Sequence, residues 1–298
     1  MPVIAIFGPT GVGKTAVAVA LAELLRGRGE DPVAVSADAL QVYQGLGTLT
    51  GAAGAAERAR LEHRLLGIVP VSEEFSAGRF AELAHREIDD ALAGGRLPIV
   101  VGGTGLYLQS ALCELDLRPP PPAALRARIA AQLAERGAAA LHEELEQRSP
   151  VVAAGIDPSD SSRVTRALEL MEMGEEPPPA GDHSRLWTAQ TRHPTLLCGL
   201  VMERDELYAR IDARVEEMAA AGAVEEVRRA EAAGASRTAR AALGYEELLA
   251  GDIDAMKRRT RNYARRQLTW MRKLPSVHTI DVTGRDPRSV AEEIARLA

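Results

Sequence analysis

The fold is decided near the start of the chain by the octapeptide Gly8-Pro9-Thr10-Gly11-Val12-Gly13-Lys14-Thr15. This stretch follows the apolar run Val3–Phe7 and precedes a helix-like run from Ala16 to Leu25. A G-x4-G-K-T turn between a strand and a helix is typical of a phosphate-binding loop, or P-loop. Its glycines let backbone N–H groups face an anion, and the helix N-terminus adds partial positive charge there. The pattern predicts a bound polyphosphate or pyrophosphate, without saying which ester carries it.

Two side chains of this loop are suited to phosphate and metal chemistry. Lys14 can reach the outer phosphate oxygens, and the Thr15 hydroxyl can ligate Mg²⁺. We therefore expect residues Gly8 to Thr15 to bind a diphosphate or nucleotide, with Mg²⁺ as the cofactor and Thr15 as its protein ligand.

Further apolar runs predict the rest of a sheet. Pro32–Ser36 and Leu97–Val101 resemble buried parallel strands, and helical stretches such as Ala77–Leu92 lie between the strands. The alternation predicts an α/β fold, a P-loop NTPase-like parallel sheet flanked by helices, with its loops converging on one crevice. Later runs predict two more strands and five helices: Leu196–Met202, Val277–Asp281, Arg204–Ala221, Ala223–Ala233, Ala239–Ala250, Ile253–Leu274 and a final helix to Leu297.

Two proline-rich breaks indicate an inserted domain. Four prolines follow Arg118, and a second break covers Glu175–Asp182. Proline runs cannot continue a helix and make stiff linkers. The intervening sequence reads as helices, so we predict a P-loop core of residues 1–117 and 195–298 and a helical insertion domain of residues 118–194.

Composition narrows the class of protein. Hydrophobic residues make up 46% and charged residues 26% of the 298, as in ordinary globular proteins. No apolar run has the length of a membrane span, and we expect neither a signal peptide nor a membrane partner. The distant cysteines, Cys113 and Cys198, and the scattered histidines offer no zinc-ligand spacing. These features predict a cytoplasmic protein with reduced thiols.

The charge is unevenly distributed. Net charge is −6, yet residues 255–273 contain eight of the 36 basic residues and no acid. Such a segment in an acidic chain indicates either a local contact with a polyanion or a solvated helix face balanced by neighbouring acids. Within it, Met256, Tyr263 and Trp270 recur every seven residues and predict an apolar stripe in the core, with the arginines facing outward.

Two strand ends supply candidate catalytic residues. Asp38 follows the second strand and can accept a proton or hold a metal, or it can simply cap a loop. Thr104 lies in Gly102-Gly103-Thr104-Gly105 after the third strand, where glycines permit a close approach to an anion or merely a tight turn. The third strand lacks the terminal aspartate that P-loop ATPases use for Mg²⁺, so Asp38 would have to serve as both metal ligand and base, or the reaction is not ATP hydrolysis.

Two arginines of a later helix are candidate phosphate ligands. Arg210 and Arg214 are spaced i, i+4 and share a face. Either can clamp a pyrophosphate, or pair with Glu206, Asp212 or Glu217.

The motifs occur together in one known family. The chain resembles bacterial tRNA dimethylallyltransferases, also called tRNA isopentenyltransferases, over nearly its whole length. The P-loop is generic, whereas the glycine motif after the third strand and the Thr-Arg-Asn-Tyr-Ala-Arg-Arg-Gln-Leu-Thr-Trp segment are specific together. The other matching stretches are Ser36–Tyr43, Gly45–Thr48, Arg204–Val215 and Thr238–Glu246.

The resemblance implies a reaction. A dimethylallyl group would pass from dimethylallyl diphosphate to N6 of the adenosine 3′ to the anticodon (position 37 of the tRNA) in tRNAs that read codons beginning with U. The P-loop would hold the diphosphate leaving group, Asp38 would be the general base, and Thr104 would lie beside the diphosphate and the flipped adenine. Lys14 and Mg²⁺ would stabilise the departing diphosphate. One of the two arginines would also contribute to this stabilisation, and we favour Arg214.

The resemblance also implies an RNA interface with the anticodon stem-loop. Its residues would be Asp38, Ala39, Leu40, Gln41, Thr104, Arg126, Ser162, Arg163, Val164, Thr165, Arg166, Gly244, Arg261 and Arg265. This sequence departs from the family at Gly11-Val12, Ala39, His63-Arg64 and the stretch Gly51–Arg60, which bears on substrate contacts rather than on the reaction class. No protein partner is implied, and we expect a monomer.

Three other functions are considered. An adenylate isopentenyltransferase would prenylate a free nucleotide, and a small-molecule kinase would use ATP on the same loop. A non-enzymatic nucleotide switch would bind and catalyse nothing. The basic segment and the helical insertion favour tRNA over the free nucleotide.

Overall fold

A computed structural model describes residues 2–115, 117–177 and 188–298. Their strands are β1 (Val3–Phe7), β2 (Pro32–Ala37), β3 (His63–Arg64), β4 (Leu97–Gly102), β5 (Thr195–Val201) and β6 (His278–Asp281). The helices are α1 (Lys14–Arg26), α2 (Gly47–Thr50), α3 (Ala55–Arg60), α4 (Ala77–Ala93), α5 (Gly105–Leu112), α6 (Ala123–Arg148), α7 (Pro150–Ala153), α8 (Ser161–Glu172), α9 (Arg204–Ala220), α10 (Ala223–Ala232), α11 (Arg237–Arg240), α12 (Tyr245–Ala250), α13 (Ile253–Met271) and α14 (Pro287–Leu297).

The six strands form one parallel sheet in the order β3-β2-β4-β1-β5-β6. All five residues of β1 are buried, because the sheet is covered on both faces. Val3, Ala5 and Phe7 point into one apolar core, and Ile4 and Ile6 point into the other. The predicted α/β class is therefore confirmed, and the short apolar runs are its central strands.

The register of the sheet aligns three loops. Phe7 pairs with Gly102, and Gly102 pairs with Ala37. Gly8, Gly103 and Asp38 therefore follow three neighbouring strands at the same edge of the sheet. This edge is where ligands bind in open parallel sheets.

The described residues fall into two compact units, residues 2–115 with 188–298, and residues 117–177. The second unit has its own core, which includes Ile129, Leu141, Leu145 and Leu168. The sequence placed the return to the first unit at 194/195, but residues 188–194 already belong to that unit. The N–H of Arg192 bonds to the carbonyl of Leu112, and its guanidinium pairs with Asp89 at 2.9 Å. Residues 178–182 of the second proline-rich break lie outside the described residues.

The structure differs from the sequence prediction in several helices and one strand. The predicted helix Ala239–Ala250 is two helices, α11 and α12, because Gly244 adopts φ 93° immediately before α12. β3, α2, α3 and α5 were not predicted; β3, α2 and α3 have six residues or fewer, so they show too little periodicity to be recognised. No helix among residues 2–115, 117–177 and 188–298 is long and apolar enough to cross a bilayer.

Candidate active site

A cleft of about 670 Å³ opens at the carboxyl edge of the sheet, within the first unit. The P-loop forms one wall, with Gly11 and Gly13 at φ 84° and 99° and α1 starting at Lys14. Thr10, Gly13 and Thr15 line it, while Val12 is buried beneath. Backbone N–H groups at the start of a 13-residue helix thus meet in a concave surface suited to an anion.

Lys14 and Arg214 are the cations of this cleft that lack a carboxylate partner. Within the described part of the chain, neither makes an ion pair. The Lys14 ammonium donates to the carbonyls of Gly8 and Pro9 over 2.9 and 3.0 Å, and Arg214 Nη2 donates to the carbonyl of Gly51 over 3.2 Å. By contrast, Arg210 pairs with Glu206 at 3.2 Å, as its i, i+4 spacing allows.

Burial perturbs both cations. Desolvation, with repulsion from Arg214, lowers the pKa of Lys14 to about 8, although Asp38 opposes the shift. Desolvation also lowers the pKa of Arg214, again against the attraction of Asp38. Two desolvated cations that make no ion pair, with Asp38 near both and Glu217 and Glu57 also near Arg214, constitute a site that an anion would stabilise.

Asp38 lies on the opposite side of the cleft, after β2. Its Oδ1 accepts hydrogen bonds from the N–H groups of Leu40 and Gln41 at 2.9 and 3.3 Å, which fix the carboxylate in an Asx-type turn. Among the described residues Oδ2 makes no hydrogen bond. One oxygen thus orients the group, and the other is free to accept a proton from a ligand.

The third wall is the glycine loop after β4, held by helix α13. Thr104 Oγ1 lies 3.0 Å from the hydroxyl of Tyr263. Burial and the nearby Asp38 raise the pKa of Tyr263 to about 12, so this phenol stays protonated at neutral pH. Tyr263, predicted as core, is only partly buried, whereas Met256 of the same stripe is buried as predicted, and both line the cleft.

Of the strands β1, β2 and β4, one is followed at the cleft by a residue with a carboxylate side chain. Among the described strands that reach the cleft, β2 leads into Asp38, whereas β1 leads into Gly8 and β4 ends at Gly102. No group of three His, Cys, Asp or Glu side chains in the described residues has the arrangement of a metal site. A metal here would have to share its coordination with a ligand's phosphates.

Comparison with known proteins identifies the family. The IPP transferase family model matches residues 41–274. The chain belongs to the IPP transferase family. It is 40% identical to a tRNA dimethylallyltransferase of Kineococcus radiotolerans, and the match covers 100% of this chain and 96% of that protein. It is 43% identical to a tRNA dimethylallyltransferase of Rhodospirillum centenum, and the match covers 91% of this chain and 88% of that protein. The resemblance inferred from the motifs is confirmed.

Solved structures of the family have the same fold. The full-length tRNA isopentenylpyrophosphate transferase of Bacillus halodurans superposes with a TM-score of 0.70 at 34% identity, covering 99% of this chain and 95% of that one. A eukaryotic dimethylallyltransferase acting on tRNA superposes with a TM-score of 0.74 at 26% identity, covering 95% of this chain and 74% of that one.

The basic helix α13 has two kinds of cation. Lys257, Arg259 and Arg261 pair with Glu216, Glu247 and Asp212, so this part of the segment is balanced by neighbouring acids. Arg258 and Arg265 are exposed and make no ion pair within the described residues. Pairing with neighbouring acids therefore accounts for part of the segment, and the RNA contact stays a prediction for which Arg265 is more available than Arg261.

The predicted RNA residues of the insertion lie on and beside α8. Ser162 and Arg163 are exposed, and the Thr165 hydroxyl bonds to the carbonyl of Ser161. Val164 is buried in the insertion core, so its side chain cannot contact RNA and that prediction is corrected. Arg126 and Arg166 both lie against Glu169, at 3.6 and 3.3 Å.

The remaining predicted RNA residues lie in the first unit. Ala39 and Leu40 are partly buried against its core, and Leu40 and Gln41 line the cleft. The Gln41 amide donates to the carbonyls of Thr50 and Gly51. Gly244 lies against the side chain of Met256.

Sequence reasoning missed Gln267 and Gly51. Gln267 bonds to both glycine loops of the cleft, and the carbonyl of Gly51 accepts a hydrogen bond from Arg214. Neither residue is charged, so neither was selected as a candidate. The signal was present in one case, because Gln267 lies four residues after Tyr263 on the same face of α13.

Proposed function

We propose that the chain transfers a dimethylallyl group from dimethylallyl diphosphate to N6 of the tRNA adenosine 3′ to the anticodon, releasing diphosphate. The observation that supports this reaction is a P-loop cleft with two cations, Lys14 and Arg214, that make no ion pair among the described residues. Asp38, which follows β2, supplies a carboxylate to the same cleft. Family membership and the tRNA-acting relatives support the choice of reaction.

The diphosphate binds against the P-loop. Its oxygens accept from the N–H groups at the start of α1 and from Lys14 and Arg214. Lys14 then exchanges the carbonyls of Gly8 and Pro9 for phosphate oxygens. These interactions strengthen as the leaving group gains charge, which is the condition for lowering the barrier.

A magnesium ion fits this donor set. The hydroxyl of Thr15 is an oxygen ligand, and Mg²⁺ in phosphate sites commonly uses one or two protein oxygens together with substrate phosphates and waters. Thr15 would hold the ion in the first turn of α1. When bound, Mg²⁺ supplies positive charge to the diphosphate.

Asp38 acts as the base. The lone pair of the adenine N6 amine forms a bond to the allylic carbon, the C–O bond to the diphosphate breaks, and its electrons leave with the diphosphate. Asp38 Oδ2 accepts the N6 proton. Because Oδ1 is held by two N–H groups, the base is oriented before the substrate arrives.

Apolar side chains are available for the prenyl chain. Leu243, Met256 and Met218 line the same cleft as the cations. An apolar lining beside a phosphate site suits a ligand with a charged head and a hydrocarbon tail.

Recognition of tRNA uses exposed basic residues. Arg258 and Arg265 on α13, and Arg163 in the insertion, are cations suited to phosphate contacts. The adenine must leave its stack to reach Asp38, which costs a few kcal/mol and least in a single-stranded loop. We further propose that the enzyme acts in the cytoplasm and as a monomer.

The test is an acceptor competition. The protein is incubated with Mg²⁺, dimethylallyl diphosphate labelled in its prenyl chain, and either bulk tRNA or AMP. Label in tRNA supports the proposal, and label in AMP supports the adenylate prenyltransferase. Turnover of ATP without any prenyl donor would favour a kinase instead.

A further inference from the structure

We infer that Gln267 is a positioning residue that holds the P-loop and the Gly103–Thr104 loop at a fixed separation, so that the diphosphate and the adenine acceptor meet in reacting geometry. The inference rests on the proposed function, since it assigns the two loops to the two substrates. Gln267 itself touches backbone rather than reacting atoms.

The side chain of Gln267 bridges the two loops directly. Its Oε1 accepts from the N–H of Thr10 over 2.9 Å, and its Nε2 donates to the carbonyl of Gly103 over 2.7 Å. One planar amide thus fixes one backbone atom in each loop. A carboxamide offers both an acceptor oxygen and a donor nitrogen at neutral pH.

The bridge is enclosed. Gln267 is 4% exposed, and a Cβ at Gly103 would overlap its Nε2 and lie 3.3 Å from the Lys14 ammonium. Glycine at 103 is therefore required for the amide to approach this closely. Removal of the amide deprives the N–H of Thr10 and the carbonyl of Gly103 of this hydrogen-bond partner.

The same helix face continues the contact. Tyr263, one helical turn before Gln267, bonds to Thr104, the next residue after Gly103. The two side chains of α13 therefore fix consecutive residues of one loop, while Gln267 alone also reaches the P-loop. The P-loop and the Gly103–Thr104 loop follow the neighbouring strands β1 and β4. A small rotation of either loop would therefore change the distance between the diphosphate and the adenine acceptor.

Two variants separate the functions of the amide. Gln267→Leu has a similar volume but neither donor nor acceptor. Gln267→Glu keeps the acceptor for Thr10 and loses the donor to Gly103, placing negative charge near Lys14. The control is Gln109→Leu, because Gln109 is also a buried glutamine (3% exposed), bonded to Cys113 in α5 and outside the cleft lining.

The measurements are the Kd of inorganic pyrophosphate with Mg²⁺, the KM and kcat for dimethylallyl diphosphate with tRNA, the Kd of tRNA, and the melting temperature. For Gln267→Leu we expect pyrophosphate Kd and prenyl-donor KM to rise roughly tenfold, the equivalent of one buried hydrogen bond, with kcat also reduced. The Kd of tRNA should stay within twofold, and Gln109→Leu should leave both Kd values and the KM unchanged.

A purely structural role would lower the melting temperature of Gln267→Leu while the folded protein kept wild-type Kd and kcat, and that result would overturn the inference. If Gln267→Leu does not fold, Gln267→Glu decides on the same readouts. If wild type itself neither binds pyrophosphate nor prenylates tRNA, the proposed function fails with it. If wild type does both and the variants match it, only the role of Gln267 fails.

Discussion

The guanidinium of Arg214 lies across Gly51: its Nη2 donates to the Gly51 carbonyl over 3.2 Å, and a Cβ at Gly51 would overlap Nη2. Gly51 has φ 58° and ends α2, whose first N–H groups are held by the carboxylate of Glu226. The turn therefore leaves just enough space for the arginine, and its position in the cleft depends on the absence of a side chain at residue 51.

Gly51→Ala is expected to displace Arg214 and reduce kcat/KM for dimethylallyl diphosphate roughly tenfold, the effect of removing one charge-assisted hydrogen bond of about 1.5 kcal/mol. The matched control is Gly67→Ala, which has φ 60° and nothing within 4 Å of its added Cβ. Both variants carry the strain of a left-handed alanine, about 1–2 kcal/mol. Equal kinetic losses in both would show that backbone strain, not Arg214, is responsible.

Asp38→Asn should retain the hydrogen bond to the N–H of Leu40 while losing the ability to accept a proton. We expect kcat to fall at least ~100-fold, the usual contribution of a general base, with little change in the Kd of dimethylallyl diphosphate. Single-turnover rates measure this, with Asp90→Asn, an exposed aspartate of α4, as the control. A variant with wild-type turnover would remove Asp38 from the proton transfer.

The lowered pKa of Lys14 predicts a loss of substrate affinity at alkaline pH. The ammonium is present below its pKa of about 8 and is lost as pH rises through that value. Affinity for dimethylallyl diphosphate should therefore fall above pH 8, whereas an ordinary lysine would hold its charge to about pH 10. Bound diphosphate favours the charged form, so the limb in kcat should lie at higher pH than the limb in kcat/KM.

Lys14→Arg provides the control for this pH profile, because arginine stays charged across the range and leaves only the titration of the ligand. A profile of kcat/KM that is flat from pH 7 to 9.5 in wild type, or unchanged in the Lys14→Arg variant, would contradict the assignment.

Charge reversal of Arg258 and Arg265 together is expected to weaken tRNA binding. The slope of log K against log salt should become shallower by about 0.7–0.9 for each RNA phosphate that the variant no longer neutralises. Pyrophosphate binding should be unaffected, and reversal of exposed Arg296 on α14 is the control. A salt slope identical to wild type would show that Arg258 and Arg265 do not contact RNA.

Arg261→Glu is a less informative variant for the same question. It would place two acids together where Arg261 now pairs with Asp212 at 2.8 Å. Any change in tRNA binding could then come from repulsion within the protein rather than from the RNA.

The sequence predicts the sheet well, because β1, β2 and β4 are short apolar runs that each end in a glycine or aspartate loop. The P-loop is equally local: its function depends on the spacing within eight residues. Asp38 was singled out by its position at a strand end, and it does line the cleft, whereas its role as base came from the family resemblance and stays a prediction.

What the sequence could not provide was the choice among possible ion-pair partners. That Arg210 pairs with Glu206 while Arg214 remains without a carboxylate partner depends on the direction of each side chain around α9. The ion pairs of Lys257, Arg259 and Arg261 likewise depend on which helices pack against α13, so one acid-free basic segment contains, among the described residues, both paired and unpaired cations.

The insertion separates β5 from the four strands that precede it in the chain, although β5 is the direct neighbour of β1. As the protein emerges from the ribosome, β1 through β4 can assemble early, and one side of the fully apolar β1 then stays unpaired until residues 195–201 are made. An exposed apolar edge invites aggregation. Synthesis of this chain thus includes an interval in which a nascent sheet needs shielding, and a fragment truncated before residue 195 should precipitate or be captured by a chaperone.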